Sequence, residues 1–196
     1  MGRGNVETAK QLLEAGVKII QYREKSFTSR QKYIECTAIR ELCCRHDACF
    51  IVNDDPYLAL EVKANGLHLG QDDIAPEAAR RIIGDEMLLG FSVTRPGEID
   101  RAADTDVIDY LGVGPVYATS TKKDAATPGG RSLIEYALKH SELPVVAIGG
   151  IRLEHVAELT CQGVCYIAMV SELVGAADIG KRVADIRAAI AEGKIF

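Results

Sequence analysis

Short apolar runs, each followed by a stretch of helical period, recur along the whole chain, and this alternation limits the fold more than any other feature. The runs are Lys18–Arg23, Cys49–Asn53, Gly66–Leu69, Met87–Val93, Val107–Val116, Leu143–Ile148 and Val164–Val170. Most are continuously apolar, as expected of parallel strands covered by helices. Strand then helix, repeated without a linker or low-complexity tract, predicts one parallel α/β domain spanning residues 1–196. An open doubly wound sheet and a closed barrel both meet that description. Polar residues at nearly every strand's C-terminal end favour the barrel, whose site gathers those ends, over the open sheet, whose site lies at one switch point.

The punctuation between runs agrees. Thr28 and Gln31 fit a capping box, and Pro56 and Pro76 suit first helical positions. Gly16, Gly84 and Gly163 stand where helices should stop. Val6, Ala9 and Leu13 mark one face of a helix over residues 5–15. A long polar segment reaches Gly130 before a helix expected at Ser132; it exceeds the usual βα connection of ~2–6 residues and reads as a functional flap. One feature fits badly. The chain opens on a helix, so only seven strands are visible where a (β/α)8 TIM barrel has eight; either its first strand is absent from this chain or the barrel is open at one seam.

Composition removes several classes of function. At 196 residues with 47% hydrophobic content, the chain can fill a sizeable core. A net charge of −5 with both signs interspersed argues against a nucleic-acid or anionic-membrane surface. No stretch approaches the ~20 apolar residues of a membrane span, and the first residues carry no apolar signal core, so a cytoplasmic location is expected. Small phosphate-bearing substrates remain open, because their sites need only local cations and backbone N–H groups. A homo-oligomer is compatible with the sequence. The six cysteines form no paired CxxC set and read as buried or semi-buried thiols.

The candidate chemistry sits at the strand ends. In Gln21-Tyr22-Arg23-Glu24-Lys25, alternation sends Gln21, Arg23 and Lys25 to one side, an arrangement suited to a polyphosphate. A solvated, charged strand end would read the same way. The next two strands end in Asn53-Asp54-Asp55 and Gln71-Asp72-Asp73. Asp54 and Asp73 could share Mg²⁺ with a diphosphate or form a general acid/base pair; helix capping competes for one aspartate of each pair and is assigned to Asp55 and Asp72. Ser92 ends another strand, and Thr119, Thr121 and Lys122 could reach phosphate oxygens. Gly149-Gly150 and Val170-Ser171 close the last two strands, where such barrels often bind a monophosphate through backbone N–H groups. His46, His140 and His155 are expected at the surface. His68 is either a ligand contact or a hydrogen-bonded core residue.

Taken together, QYREK, VNDD, GLHLGQDD, GFSV, GPVYATSTKKD, VAIGG and MVSEL resemble the thiamine-phosphate synthase family in order and spacing over residues 6 to 190. The resemblance implies a transferase that condenses an aminopyrimidine-methyl diphosphate with a thiazole (carboxylate) phosphate, giving thiamine phosphate and pyrophosphate. It implies that Gln21, Tyr22, Arg23, Glu24, Lys25, Asn53 and Lys122 hold the diphosphate substrate, and that Ser92 contacts its pyrimidine. Asp54 and Asp73 would ligate Mg²⁺. Thr119, Ser120, Thr121, Gly149, Val170 and Ser171 would hold the thiazole phosphate. Arg23, Lys25, Lys122 and Ser92 would serve the chemistry directly. Tyr22 departs from the family's usual aliphatic residue, and its side chain is expected to face the helices, away from substrate. Two rival readings are a thiazole tautomerase-like relative, which needs no diphosphate and metal set, and a catalytically silent phosphate-binding barrel.

Overall fold

The computed structural model describes residues 3–119 and 127–194. Its contacts gather into two compact units, Met1–Gly90 and Phe91–Phe196. The first carries α1 (Asn5–Glu14), β1 (Ile19–Tyr22), α2 (Ser29–Arg45), β2 (Cys49–Asn53), α3 (Pro56–Glu61), β3 (Gly66–Leu69), α4 (Pro76–Ile83) and the start of β4 (Leu88–Val93). The second carries the end of β4, α5 (Pro96–Ala103), β5 (Tyr110–Val113), α6 (Gly130–His140), β6 (Val145–Ile148), α7 (Leu153–Cys161), β7 (Tyr166–Ala168), α8 (Ser171–Val174) and α9 (Ile179–Gly193).

All seven expected strands form, in the order β1 to β7, and the registered pairs are parallel. A doubly wound sheet would reverse its order at a switch point. Monotonic order with a helix after each strand is instead the TIM-barrel pattern. In the first unit strand residues Phe50, Val52, Leu67 and Leu69 are fully buried, as are Ile39 of α2 and Leu13 of α1. In the second, Leu111, Val113, Ala147, Ile134 and Leu159 form the core. Truncating any of these large side chains to Ala should cost about 2–5 kcal/mol.

Local signals explain most boundaries. Thr28 accepts the Gln31 N–H while Gln31 reaches back to the Thr28 N–H, the complete capping box. Asp55 caps α3 by accepting the Leu58 N–H at 2.9 Å, with Pro56 following it. Pro76 likewise opens α4, and Gly16, Gly84 and Gly163 follow their helices with positive φ.

Four expectations need correction. Asp72 caps no helix: the cap of α4 is Ala75, and it is Asp73 that accepts a backbone N–H, from Gly70 at 2.7 Å. The strand expected over Val107–Val116 is only Tyr110–Val113. Ile108 is buried core in the connecting segment, and Pro115 has no N–H to extend the ladder. The helix expected at Ser132 begins at Gly130, and the Ser132 hydroxyl donates to the Gly129 carbonyl. Of the cysteines, Cys36 and Cys43 are buried and Cys49 is half-buried, but Cys44, Cys161 and Cys165 are exposed. Asn5–Glu14 is helical as expected, though Leu12 and Thr8 join its buried face while Val6 is only half-buried.

Candidate functional site

The first unit builds a charged site from three neighbouring strand ends. Register places Tyr22 beside Val52, and Asn53 beside His68, so the residues following β1, β2 and β3 emerge together. Along β1, Ile20 and Tyr22 are buried while Gln21 and Arg23 are exposed, the period of two expected of a strand. Arg23, Glu24, Lys25, Asn53, Asp54 and Asp73 line a cavity of about 320 Å³. Gln21 shares the outward side of β1 without lining that cavity.

Asp54 is placed by an uncommon backbone conformation, with φ +69°, a region that Asp and Asn tolerate better than other side-chain-bearing residues. Its N–H donates to the His68 carbonyl at 2.9 Å. Its carboxylate accepts from the Lys25 ammonium and pairs with it. The Asp54 and Asp73 carboxyls also hydrogen-bond to each other. Burial pushes Asp54 up, but Lys25, Asp73 and the Arg23 charge outweigh it and bring the group below its usual range. Burial and the Asp54 carboxylate push Asp73 up, despite the Gly70 N–H and Lys25. The two carboxyls thus shift in opposite directions, as expected when like charges meet in one site and a single ammonium sits on one of them. His68 lies behind this pair. Burial lowers its imidazole to about 4, only partly offset by Asp54, so it is neutral at physiological pH.

This donor set fits Mg²⁺. Two carboxylates converge on one point, and among the described residues no third Asp, Glu, His or Cys completes an all-protein cage. Mg²⁺ commonly takes one or two carboxylates and leaves its other positions to water and phosphate oxygens.

The second unit builds differently. Gly149 and Gly150 follow β6 with φ of +93° and +68°. A Cβ on Gly149 would stand 2.6 Å from Pro115 Cα, and one on Gly150 would stand 2.5 Å from the Ala118 carbonyl oxygen. The Tyr117 N–H donates to the Gly149 carbonyl at 3.0 Å, so this glycine turn holds the segment leading to Thr119. The Tyr117 ring stacks on His155, centroids 3.7 Å apart. Ser92 is half-buried within β4. Val170 precedes α8 and its carbonyl accepts the Val174 N–H at 2.7 Å; Ser171 is the first residue of α8. An Arg182–Glu172 ion pair at 2.5 Å ties α8 to α9. Ser120, Thr121 and Lys122 lie outside the described residues.

Three functional features escape a reading of the sequence. Lys32 lines the first unit's cavity; its signal was its place one turn after the Thr28 cap, on a helix that starts at the strand end. Tyr22, expected to face the helices and away from substrate, does face α2, where its phenol donates to Glu35 at 2.8 Å, but it also lines the cavity. Glu98 is buried with 2% exposure, accepting from the Thr94 N–H, the Thr94 hydroxyl and Arg95 Nε. The T-x-x-x-E spacing at the start of α5 was the available sign of it.

Comparison with known proteins adds the following. A family described as thiamine monophosphate synthase matches residues 2–173. A thiamine-phosphate synthase of Pelotomaculum thermopropionicum is 48% identical, over 97% of this chain and 87% of that protein. One from Lawsonia intracellularis is 41% identical, over 96% and 86%. The solved structure of a thiamine phosphate pyrophosphorylase from Pyrococcus furiosus aligns with TM-score 0.90 at 33% identity, covering 97% of this chain and 91% of that one. A 3-hexulose-6-phosphate synthase from Salmonella typhimurium shares the fold, with TM-score 0.74 at 15% identity. No helix among the described residues is long and apolar enough to cross a membrane.

Proposed function

This chain belongs to the thiamine monophosphate synthase family, and we propose that it joins an aminopyrimidine-methyl diphosphate to a thiazole phosphate, releasing pyrophosphate. It is a transferase. On this reading its seven strands belong to the eight-stranded barrel architecture expected from the sequence, in one domain.

The observation that carries the substrate assignment is the convergence of Lys25, Asp54 and Asp73 beside Arg23 in one cavity. A tautomerase-like relative needs a monophosphate site but gains nothing from a paired-carboxylate, cation-rich pocket. Asp54 and Asp73 would hold Mg²⁺, which when bound supplies positive charge to the diphosphate oxygens.

The chain's own residues then divide the work. Arg23 and Lys25, with Lys122, stabilise negative charge as it develops on the departing pyrophosphate. The pyrimidine-methyl carbon becomes cationic as the carbon–oxygen bond breaks, and the thiazole nitrogen supplies the electron pair for the new carbon–nitrogen bond. No general base is needed, because no proton leaves the nitrogen that reacts. Ser92 and Asn53 orient the pyrimidine. Thr119, Ser120, Thr121, Gly149, Val170 and Ser171 hold the thiazole phosphate, whose nitrogen must approach to within ~3–3.5 Å of the cationic carbon. Neutral His68 adds no charge to the site.

The test is direct. Purified chain with both substrates and Mg²⁺ should yield thiamine phosphate and equimolar pyrophosphate, read by mass spectrometry. Pyrophosphate release from the diphosphate alone, or no condensation with both present, would overturn the reading.

A further inference from the structure

Residues 20–25 are held from two sides, Lys25 by Asp54 in the cavity and Tyr22 and Glu24 by the helices. Ile20 and Tyr22 are buried, Gln21, Arg23 and Lys25 are exposed, and Glu24 is half-buried between the two cations. The inward-facing members are tied down. The Tyr22 phenol donates to Glu35 Oε2 at 2.8 Å, and the Asn5 side-chain amide donates to that same oxygen at 2.8 Å. Asn5 also hydrogen-bonds the Glu24 carboxylate. That carboxylate accepts the Ser26 N–H at 2.8 Å and the Ser26 hydroxyl at 2.7 Å. An amide NH₂ has two hydrogens, so Asn5 can bridge two carboxylates that would otherwise repel.

The tie therefore runs from α1 (Asn5) through α2 (Glu35) to the strand end (Tyr22) and the loop beyond it (Glu24). Anchoring Tyr22 and Glu24 to the helices fixes the backbone on both sides of Arg23 and immediately before Lys25, and all four residues line the same cavity. Arg and Lys lose much rotamer freedom when ordered, so fixing their backbone beforehand is what the protein can contribute. We propose that Glu35 and Asn5 are positioning residues that orient Arg23 and Lys25 toward the diphosphate. This rests on the reading of Arg23 and Lys25 given above.

Four variants test it by steady-state kinetics with each substrate varied in turn. Glu35→Leu removes the shared acceptor, and Asn5→Ala removes the bridge. Each should lower kcat/KM for the pyrimidine diphosphate about 10-fold, the scale of a lost hydrogen bond to a charged group. Each should leave KM for the thiazole phosphate within about 2-fold. Glu35→Gln keeps one oxygen able to accept both bonds and should stay close to the parent. Thr8→Val, which removes a hydroxyl bond to the Gly4 carbonyl at 2.9 Å on the same helix, controls for general loosening of α1 and should keep the parent's kcat/KM. An active parent with an unchanged Glu35→Leu overturns the clamp alone. So does a loss in all four variants that tracks melting temperature and affects both substrates equally. A parent that forms no product overturns the functional reading itself, and the clamp with it.

Discussion

On the proposed reading, the two units solve the same problem, holding an anion, with different materials. In Met1–Gly90 the candidate site is made of charged side chains: Lys25 against Asp54, Asp54 against Asp73, Arg23 alongside. In Phe91–Phe196 it is made largely of backbone: a double-glycine turn that no side chain could occupy, and short segments ending in Thr119 and Ser171. The contrast fits the two anions. A diphosphate that must leave carries charge that grows in the transition state, so strong fixed charges accelerate its departure. A phosphate that serves only as a handle carries the same charge before and after reaction, so neutral donors suffice and release product more readily.

The sharpest way to break this comparison is to remove charge from the first unit. Asp54→Asn or Asp73→Asn should lower turnover at least ~10²-fold, the scale of one strong transition-state contact, with KM for the thiazole phosphate little changed. Near-normal turnover in both variants at limiting Mg²⁺ would remove the metal assignment. In the second unit the largest effect should come from backbone. Gly150→Ala puts a Cβ 2.5 Å from a carbonyl oxygen at positive φ, which should cost about 1–3 kcal/mol of stability and raise KM for the thiazole phosphate. A Gly150→Ala chain with an unchanged melting temperature would mean the turn is not rigid. Ser171→Ala should do less, raising that KM by roughly 2–10-fold with kcat intact, as for one neutral hydrogen bond. A fall in kcat without a rise in KM would show the sites interchanged.

The smallest effect concerns pH. Burial pushes the Glu98 carboxyl up, but the Thr94 N–H, the Thr94 hydroxyl and Arg95 outweigh it, so its folded pKa is lowered. A lowered acid stabilises the fold above its unfolded value of ~4.3 and loses that contribution as pH falls through the folded value. Thermal melts of Glu98→Gln between about pH 3 and 6 should therefore show a flatter acid limb than the parent. Parallel curves would contradict the role given to Glu98.

How much of this was legible depended on whether the signal was local. Seven strands could be found because each sits in a mostly apolar run: β3 is buried along its whole length, while β1 buries only alternate residues yet still reads as a strand. The run over 107–116 misled for the same reason: Ile108 is core without being strand. Choosing between Asp72 and Asp73 required knowing where the Gly70 N–H points, which adjacent identical residues cannot reveal. The charged motifs of the first unit stood out as strings. By contrast, the partners of Glu35 lie 13 and 30 residues away, and no periodicity announces them. The second unit's cradle was hardest to read, because a glycine pair looks the same in a phosphate site and in an ordinary turn.

The central claim is that the first unit's charged cluster is a magnesium-dependent diphosphate site, and calorimetric titration with inorganic pyrophosphate tests it most directly. Binding to the parent chain should be strong with Mg²⁺ and at least ~10-fold weaker without it, and Asp54→Asn should abolish the difference. Equal affinity with and without Mg²⁺, or a dependence that survives in Asp54→Asn, would contradict the account.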